Sequence, residues 1–275
     1  EAGVIPRAVS KVLADANARR EQGWEFVLTA TFVEIYSERI RDLLDPSNDS
    51  LKVTEHPGRG VEAAGATEVQ ISTLDEALDV LREGSSHRMT AATMMNQASS
   101  RSHSIFMLRL EQHNLVRNCK VSGRLTLVDL AGSERAGKAG LEGRHLEEAS
   151  SINVSLHTLG RVIRKLSDSA PHVPFRDSKL TRLLQESLGG NSRTALIVCC
   201  SPEEAHARET LSTLTFGECA KRVTTFASAN VVAAPDEVAA QLSELREEVV
   251  RLKRQLHDLR LREVKKDAIL LQGGR

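Results

Sequence analysis

The segment Leu125–Glu134 reads LTLVDLAGSE, an apolar run that ends in Asp129 and passes at once into a small-residue turn containing Gly132. A buried strand that delivers a carboxylate at its C-terminal end is where nucleotide hydrolases hold the shell of a Mg²⁺ ion. A glycine just beyond it lets a backbone N–H approach a terminal phosphate. An ordinary strand-to-loop aspartate has the same signature, so the pattern alone leaves both readings open. A second constellation, NQASSRSH at Asn96–His103, lies on a polar loop before the apolar run Ser104–Leu110. Two hydroxyls and an arginine in a row can contact phosphate, a Mg²⁺-bound water and a distant carboxylate. A serine-rich turn with a solvated arginine fits equally well.

A third feature is electrostatic. Between Arg161 and Arg193 there are seven Arg/Lys (161, 164, 165, 176, 179, 182, 193) against three acids (Asp168, Asp177, Glu186). That local excess suits an acidic partner, although a charge run is also what any solvated face carries. Over the whole chain of 275 residues, 37 Lys+Arg balance 37 Asp+Glu, which argues against a general nucleic-acid binder. Apolar residues are 40% and charged residues 27%, which excludes wholesale disorder. No apolar run approaches the roughly 18–20 residues of a membrane span. Cys119, Cys199, Cys200 and Cys219 show no CxxC spacing, which favours a reduced intracellular protein without a structural metal.

These features need a scaffold. Residues 1–20 read as a helix with Pro6 near its start, and Trp24–Tyr36 (WEFVLTATFVEIY) as a long strand. Ile40–Leu44 reads as a short helix or turn, and Leu74–Glu83 as a helix. Ser104–Leu110 and Leu125–Leu130 read as strands, the second apolar on both faces like a central strand. Ser151–Leu166 and Ser178–Leu188 read as helices, and Ala195–Cys200 (ALIVCC) as a buried strand. Alternating strands and helices predict an α/β domain with a central sheet. After Val223 the small-residue stretch Thr224–Ala234 suits a linker. From Pro235, apolar residues at 238, 242, 245, 249, 252, 256 and 259 keep spacings of 4 and 3 in strict alternation, the seam of a coiled coil.

Taken together, NxxSSRSH roughly thirty residues before DLAGSE, followed by HVPFRDSKLTRLLQESLGG at His172–Gly190, resembles the kinesin motor domain. The resemblance runs from residue 3 to about residue 223. GVIPRAV, FVEIYSERIRDLLD at Phe32–Asp45, INVSLHTLGRVI at Ile152–Ile163 and TLSTLTFGECAKRV at Thr210–Val223 all fall in kinesin order. It implies the kinesin-type P-loop NTPase fold, a central sheet flanked by helices, with the motor domain at 1–222, a neck linker at 223–234 and a coiled-coil neck at 235–271. It implies an ATPase driving movement along microtubules, with ATP and Mg²⁺ as cofactors, a homodimer formed through the coil, and a place on the cytoplasmic microtubule cytoskeleton.

Site roles follow from the same resemblance. Ser99 and Ser100 would approach the γ-phosphate and the Mg²⁺-bound water, with Asn96 supporting the loop. Asp129 would stand one water away from Mg²⁺, and the Gly132 N–H would sense the γ-phosphate. Arg101 and Glu134 would form the salt bridge that closes the two loops around attacking water, a latch that assembles only when phosphate holds both. Asn153 would relay nucleotide state toward the track side. Arg135, Lys138, Arg161, Arg176, Lys179 and Arg182 would face the microtubule, although Val154 stands where the family often has lysine. Val223 would be the apolar plug of the neck linker and Asn230 its latch, and a motor preceding its linker is the plus-end-directed arrangement.

One part of the pattern is missing. A kinesin ATP site needs GxxxxGK[ST] to cradle phosphate, and Gly132–Ala139 (GSERAGKA) misses it by one residue, inside the DLAGSE loop. The chain starts at Glu1, in the segment that follows the P-loop in the family. It is therefore expected to be a fragment of a motor, inactive in ATP turnover alone, with unpaired sheet edges. The alternative is a non-hydrolysing pseudo-motor that binds microtubules through a coiled-coil module. A Ras-like GTPase shares the strand-Asp-x-x-Gly logic but would need a guanine signature that the sequence lacks.

Overall fold

In the computed structural model the described residues are 3–94, 101–116, 118–132 and 144–232, with isolated positions of a helix between 245 and 255. The side chains of 91–94 and 144–153 are outside the description. The chain begins with helix α1 (Val4–Ala18), turns through Gly23 at φ +77, and enters β1 (Trp24–Tyr36), whose bounds match the sequence expectation. Strand β2 (Arg39–Asp42) folds back on β1. A second hairpin, β3 (Lys52–His56) and β4 (Gly60–Ala64), is followed by β5 (Val69–Ile71) and helix α2 (Leu74–Met94). Strands β6 (His103–Asn114) and β7 (Cys119–Asp129) follow, then helices α3 (Arg144–Ser167), α4 (Lys179–Leu183), α5 (Gln185–Gly189) and α6 (Ala207–Lys221), and a last strand, β8 (Asn230–Val232).

The main sheet runs β2-β1-β6-β7-β8, with β5 also on β1, and every one of its pairings is antiparallel. Period-two alternation loads both faces. On β1, Leu28, Ala30 and Phe32 join Phe106 and Leu108 of β6 beneath α1 and α2. Val33, Ile35 and Ile105 point the other way, into a cluster with Leu159 and Ile163 of α3 and Leu180 and Leu183 of α4. The result is two helical layers around one sheet. Gly84 of α2 lets that helix lie directly on Phe32, whose ring meets Phe106 edge-on at 5.5 Å. The small hairpin is fastened to the sheet by two arginines: Arg109 donates to the Glu62 carboxylate at 2.7 Å, and Arg124 to the Val61 carbonyl at 2.8 Å.

Four expectations are corrected. Ile40–Leu44 is not a helix: Ser37 and Glu38 adopt φ 51 and 59, a two-residue turn matched to strand twist, so Arg39–Asp42 pairs with β1. The turn is also a fixture, since Glu38 accepts from the Lys179 backbone N–H at 2.7 Å and so pins the start of α4. Ser178–Leu188 is not one helix but two short ones meeting at Leu184, the first capped by Ser178, which accepts from Thr181 N–H. Ala195–Cys200 forms no strand and is exposed, with Ile197 at 75%. Strand β7 is not buried on both faces: beyond β6 it pairs only at Lys120–Ser122 with β8, and Val128 is exposed. The two last corrections share a cause, because among the described residues the segment 125–130 has a strand on one side only, β6, and 195–200 has none.

Candidate functional site

The chemistry-bearing residues meet at one end of β6 and β7. Register sets this corner, because His103 pairs with Ile35 on one side while Ser104 pairs with Asp129 on the other. The start of β6 and the end of β7 are thereby brought together, and α2 passes beside them. From α2, Arg88 reaches into the corner. Its Nη1 donates to Asp129 Oδ2 at 2.9 Å and to Ser104 Oγ at 3.2 Å, and its Nη2 donates to the Ser102 carbonyl at 3.1 Å. Its Nε lies 3.5 Å from Glu34, a carboxylate almost wholly buried in β1.

His103 is the second hub. Its Nδ1 accepts from the Ala131 backbone N–H at 2.9 Å, which leaves the proton on Nε2 to donate to Ser155 Oγ at 2.7 Å. Burial first and the Arg88 charge second lower its pKa to about 4, against the opposing charge of Asp129. The imidazole is therefore neutral near pH 7, as the acceptor role of Nδ1 requires.

Asp129 is placed where the sequence puts it, at the end of β7, and its side chain is 68% exposed. A lone carboxylate with one oxygen engaged by a guanidinium does not hold Mg²⁺ by itself, but it can accept from a water bound to the ion. The donor set fits a position one water removed from Mg²⁺. Among the described residues no group of three His, Cys, Asp or Glu gathers as a metal site. Gly132 follows directly in the turn. Arg101 is half-buried just before β6. Asn96, Ser99, Ser100, Glu134, Arg135 and Lys138 lie outside the described residues, as does the Arg101–Glu134 bridge. Asn153 falls within α3, its side chain likewise outside the description.

The basic segment is divided by the fold. Arg161, Arg164 and Lys165 on the last turns of α3, together with Arg176 and Arg193, are exposed. Arg161 pairs loosely with Asp177 at 3.2 Å. Arg182 instead turns inward to Glu55 of β3 at 2.6 Å, and Lys179 is half-buried. At the other end of the chain Val223 packs on the cluster that holds α3 and α4. Asn230 donates to the Ser122 carbonyl at 3.3 Å and accepts from Asn191 at 2.8 Å, and β8 adds to the edge of β7. In the helix beyond, Leu245, Val249 and Leu252 of the heptad seam are exposed.

Two of these residues escaped the sequence reading. Arg88 has no local signal, being one arginine on a helix 41 residues from Asp129. His103 closes the NQASSRSH motif, and its bonds to the turn and to α3 depend on strand register.

The corner and its sheet define an α/β domain in which a strand-end carboxylate and a glycine turn sit beside a helix with a basic end. The kinesin motor domain family model matches residues 1–223, and the chain belongs to that family. It is 49% identical over 248 residues to the kinesin heavy chain of Botryotinia fuckeliana, covering 90% of this chain and 28% of that protein. It is 47% identical over 258 residues to kinesin-related protein 3 of Dictyostelium discoideum, covering 94% of this chain and 22% of that one. The chain thus spans about a quarter of the length of the curated relatives it matches. The structure of a fast kinesin, described with implications for ATPase mechanism and interactions with microtubules, superposes with a TM-score of 0.78 at 50% identity, covering 85% of this chain and 66% of that one. A KIF14 dimer bound to a microtubule with AMP-PNP in a two-heads-bound state gives 0.74 at 39% identity, covering 83% and 67%.

Proposed function

We propose that this chain is the switch-bearing and track-facing part of a microtubule-stimulated ATPase motor. The observation that carries the reading is the corner itself. The Asp129–Gly132 turn is tied through His103 to α3, and α3 ends in the exposed cations Arg161, Arg164 and Lys165. A change at the turn and a change at an acidic track therefore act on one rigid helix. ATP supplies the phosphoryl group and Mg²⁺ neutralises its charge. Asp129 would orient water on the ion, and the Gly132 N–H would point at the terminal phosphate. Ser99, Ser100 and Asn96 would complete the loop, with Arg101 and Glu134 latching it.

The track surface combines the end of α3 with Arg176, Arg135 and Lys138, while Arg182 and Lys179 contribute by holding α4 in place. Val223 and Asn230 would fasten the neck linker, and the heptads from residue 238 would pair two copies. Such a motor works on the cytoplasmic microtubule cytoskeleton. Co-sedimentation with microtubules tests the surface. Reversing Arg161, Arg164 and Lys165 together to Glu should weaken pelleting by roughly tenfold or more, and added salt should weaken the unmodified chain. Pelleting that ignores both would remove this face from the interface.

A further inference from the structure

Ala131, just after β7, and Ser155, on α3, lie far from each other and from His103 in the sequence, yet the His103 ring is bonded to both. We propose that His103 is a positioning residue that couples α3 to the Asp129–Gly132 turn, so that a shift of the helix is transmitted to the turn's backbone through a single tautomer-locked imidazole. Three observations carry this. The Cα of His103 is fixed in the sheet by its pairing with Ile35, so the ring has a stationary root. Both ring nitrogens are engaged, at 2.9 Å to Ala131 N and 2.7 Å to Ser155 Oγ, so the ring cannot turn without breaking one of them. All three residues are almost wholly buried, so water does not readily replace either bond.

The chemistry of the ring is what the position demands. An amide N–H needs an acceptor, and the Ser155 hydroxyl on the far side is offered a donor. A neutral imidazole supplies both from opposite sides of one rigid plane. Pulling Ser155 along the helix axis tilts that plane and draws Ala131, and with it the adjoining Gly132 N–H. This linkage rests on the corner that carries the motor reading, but it is tested apart from that reading, because it operates within the chain whether or not nucleotide is hydrolysed.

Amide hydrogen exchange and side-chain ¹⁵N spectra of this chain test it. The ¹⁵N signature of His103 should be pyridine-type at Nδ1 and pyrrole-type at Nε2. Ser155→Ala leaves the Ala131 to His103 bond intact, yet should speed exchange of the Ala131 and Gly132 amides by roughly two- to tenfold, the worth of one net hydrogen bond. Ser155→Thr, which keeps the hydroxyl, should restore protection. Ser167→Ala, near the far end of the same helix, should leave those amides unchanged, which separates coupling from general loosening. His103→Gln can keep the donor to Ser155 while losing the acceptor for Ala131, and should free the turn. Unchanged Ala131 exchange in Ser155→Ala, an equal response to Ser167→Ala, or a proton on Nδ1 would overturn the proposal.

Discussion

Arg88 Nη1 donates to Asp129 Oδ2 at 2.9 Å, so a guanidinium carried on α2 steadies the carboxylate that ends β7. The same side chain approaches Glu34, which is 3% exposed, and bonds the backbone and hydroxyl of Ser102. One residue thus fixes the relation between three segments: the strand carrying Asp129, the entry to β6 and the buried acid of β1.

Replacing Arg88 by Ala should therefore act through Glu34 more than through Asp129. Asp129 is solvent-exposed and can re-solvate, whereas Glu34 would be left buried beside a void. Breaking a buried pair from one side costs about 3–5 kcal/mol. Urea unfolding should show that loss in Arg88→Ala, and Arg88→Ala with Glu34→Gln should recover part of it. Equal stability of Arg88→Ala and the unmodified chain would contradict the assignment.

His103 makes stability depend on pH in a defined window. Its folded pKa is about 4 against 6.5 for the free side chain, so the unfolded chain binds the proton first as pH falls. Its contribution is complete above about pH 6.5 and is progressively lost toward pH 4, a difference of about 3 kcal/mol. Arg88 and Asp129 face the ring, one disfavouring and the other favouring its charge. Subtracting the curve of His103→Asn from that of the unmodified chain isolates this share, and a flat difference between pH 6.5 and 4 would contradict it.

The exposed ALIVCC segment and the open stretch of β7 should make the isolated chain prone to association. Ile197 is 75% exposed within an apolar run of strand-forming residues. Ile197→Lys should lower light scattering on warming by roughly several-fold without changing the unfolding midpoint, since a charge placed there interrupts the run. Undiminished scattering would place the sticky surface elsewhere.

How far the sequence could be read depended on whether a signal was local. Trp24–Tyr36 announced β1 to the residue, because nine of its thirteen residues are β-branched or aromatic and a turn follows. Arg39–Asp42 was hidden, since the Ser37–Glu38 turn lacks the Gly or Asn that usually marks left-handed backbone. Ala195–Cys200 was misread because composition declares a buried strand without supplying a partner. Asp129 and Gly132 were legible as a motif, and their place at the strand end holds. Arg88 and the bridge through His103 were not, because each joins residues dozens apart that only sheet register brings within hydrogen-bond reach.

Phosphate release by the full-length protein, measured with and without microtubules, tests the central claim most directly. A motor whose Asp129–Gly132 turn and α3 basic face act as one unit should release phosphate faster as microtubules are added. Charge reversal at Arg161, Arg164 and Lys165 should abolish the stimulation while sparing the basal rate. A basal rate indistinguishable from blank, or a rate that microtubules leave unchanged, would contradict it.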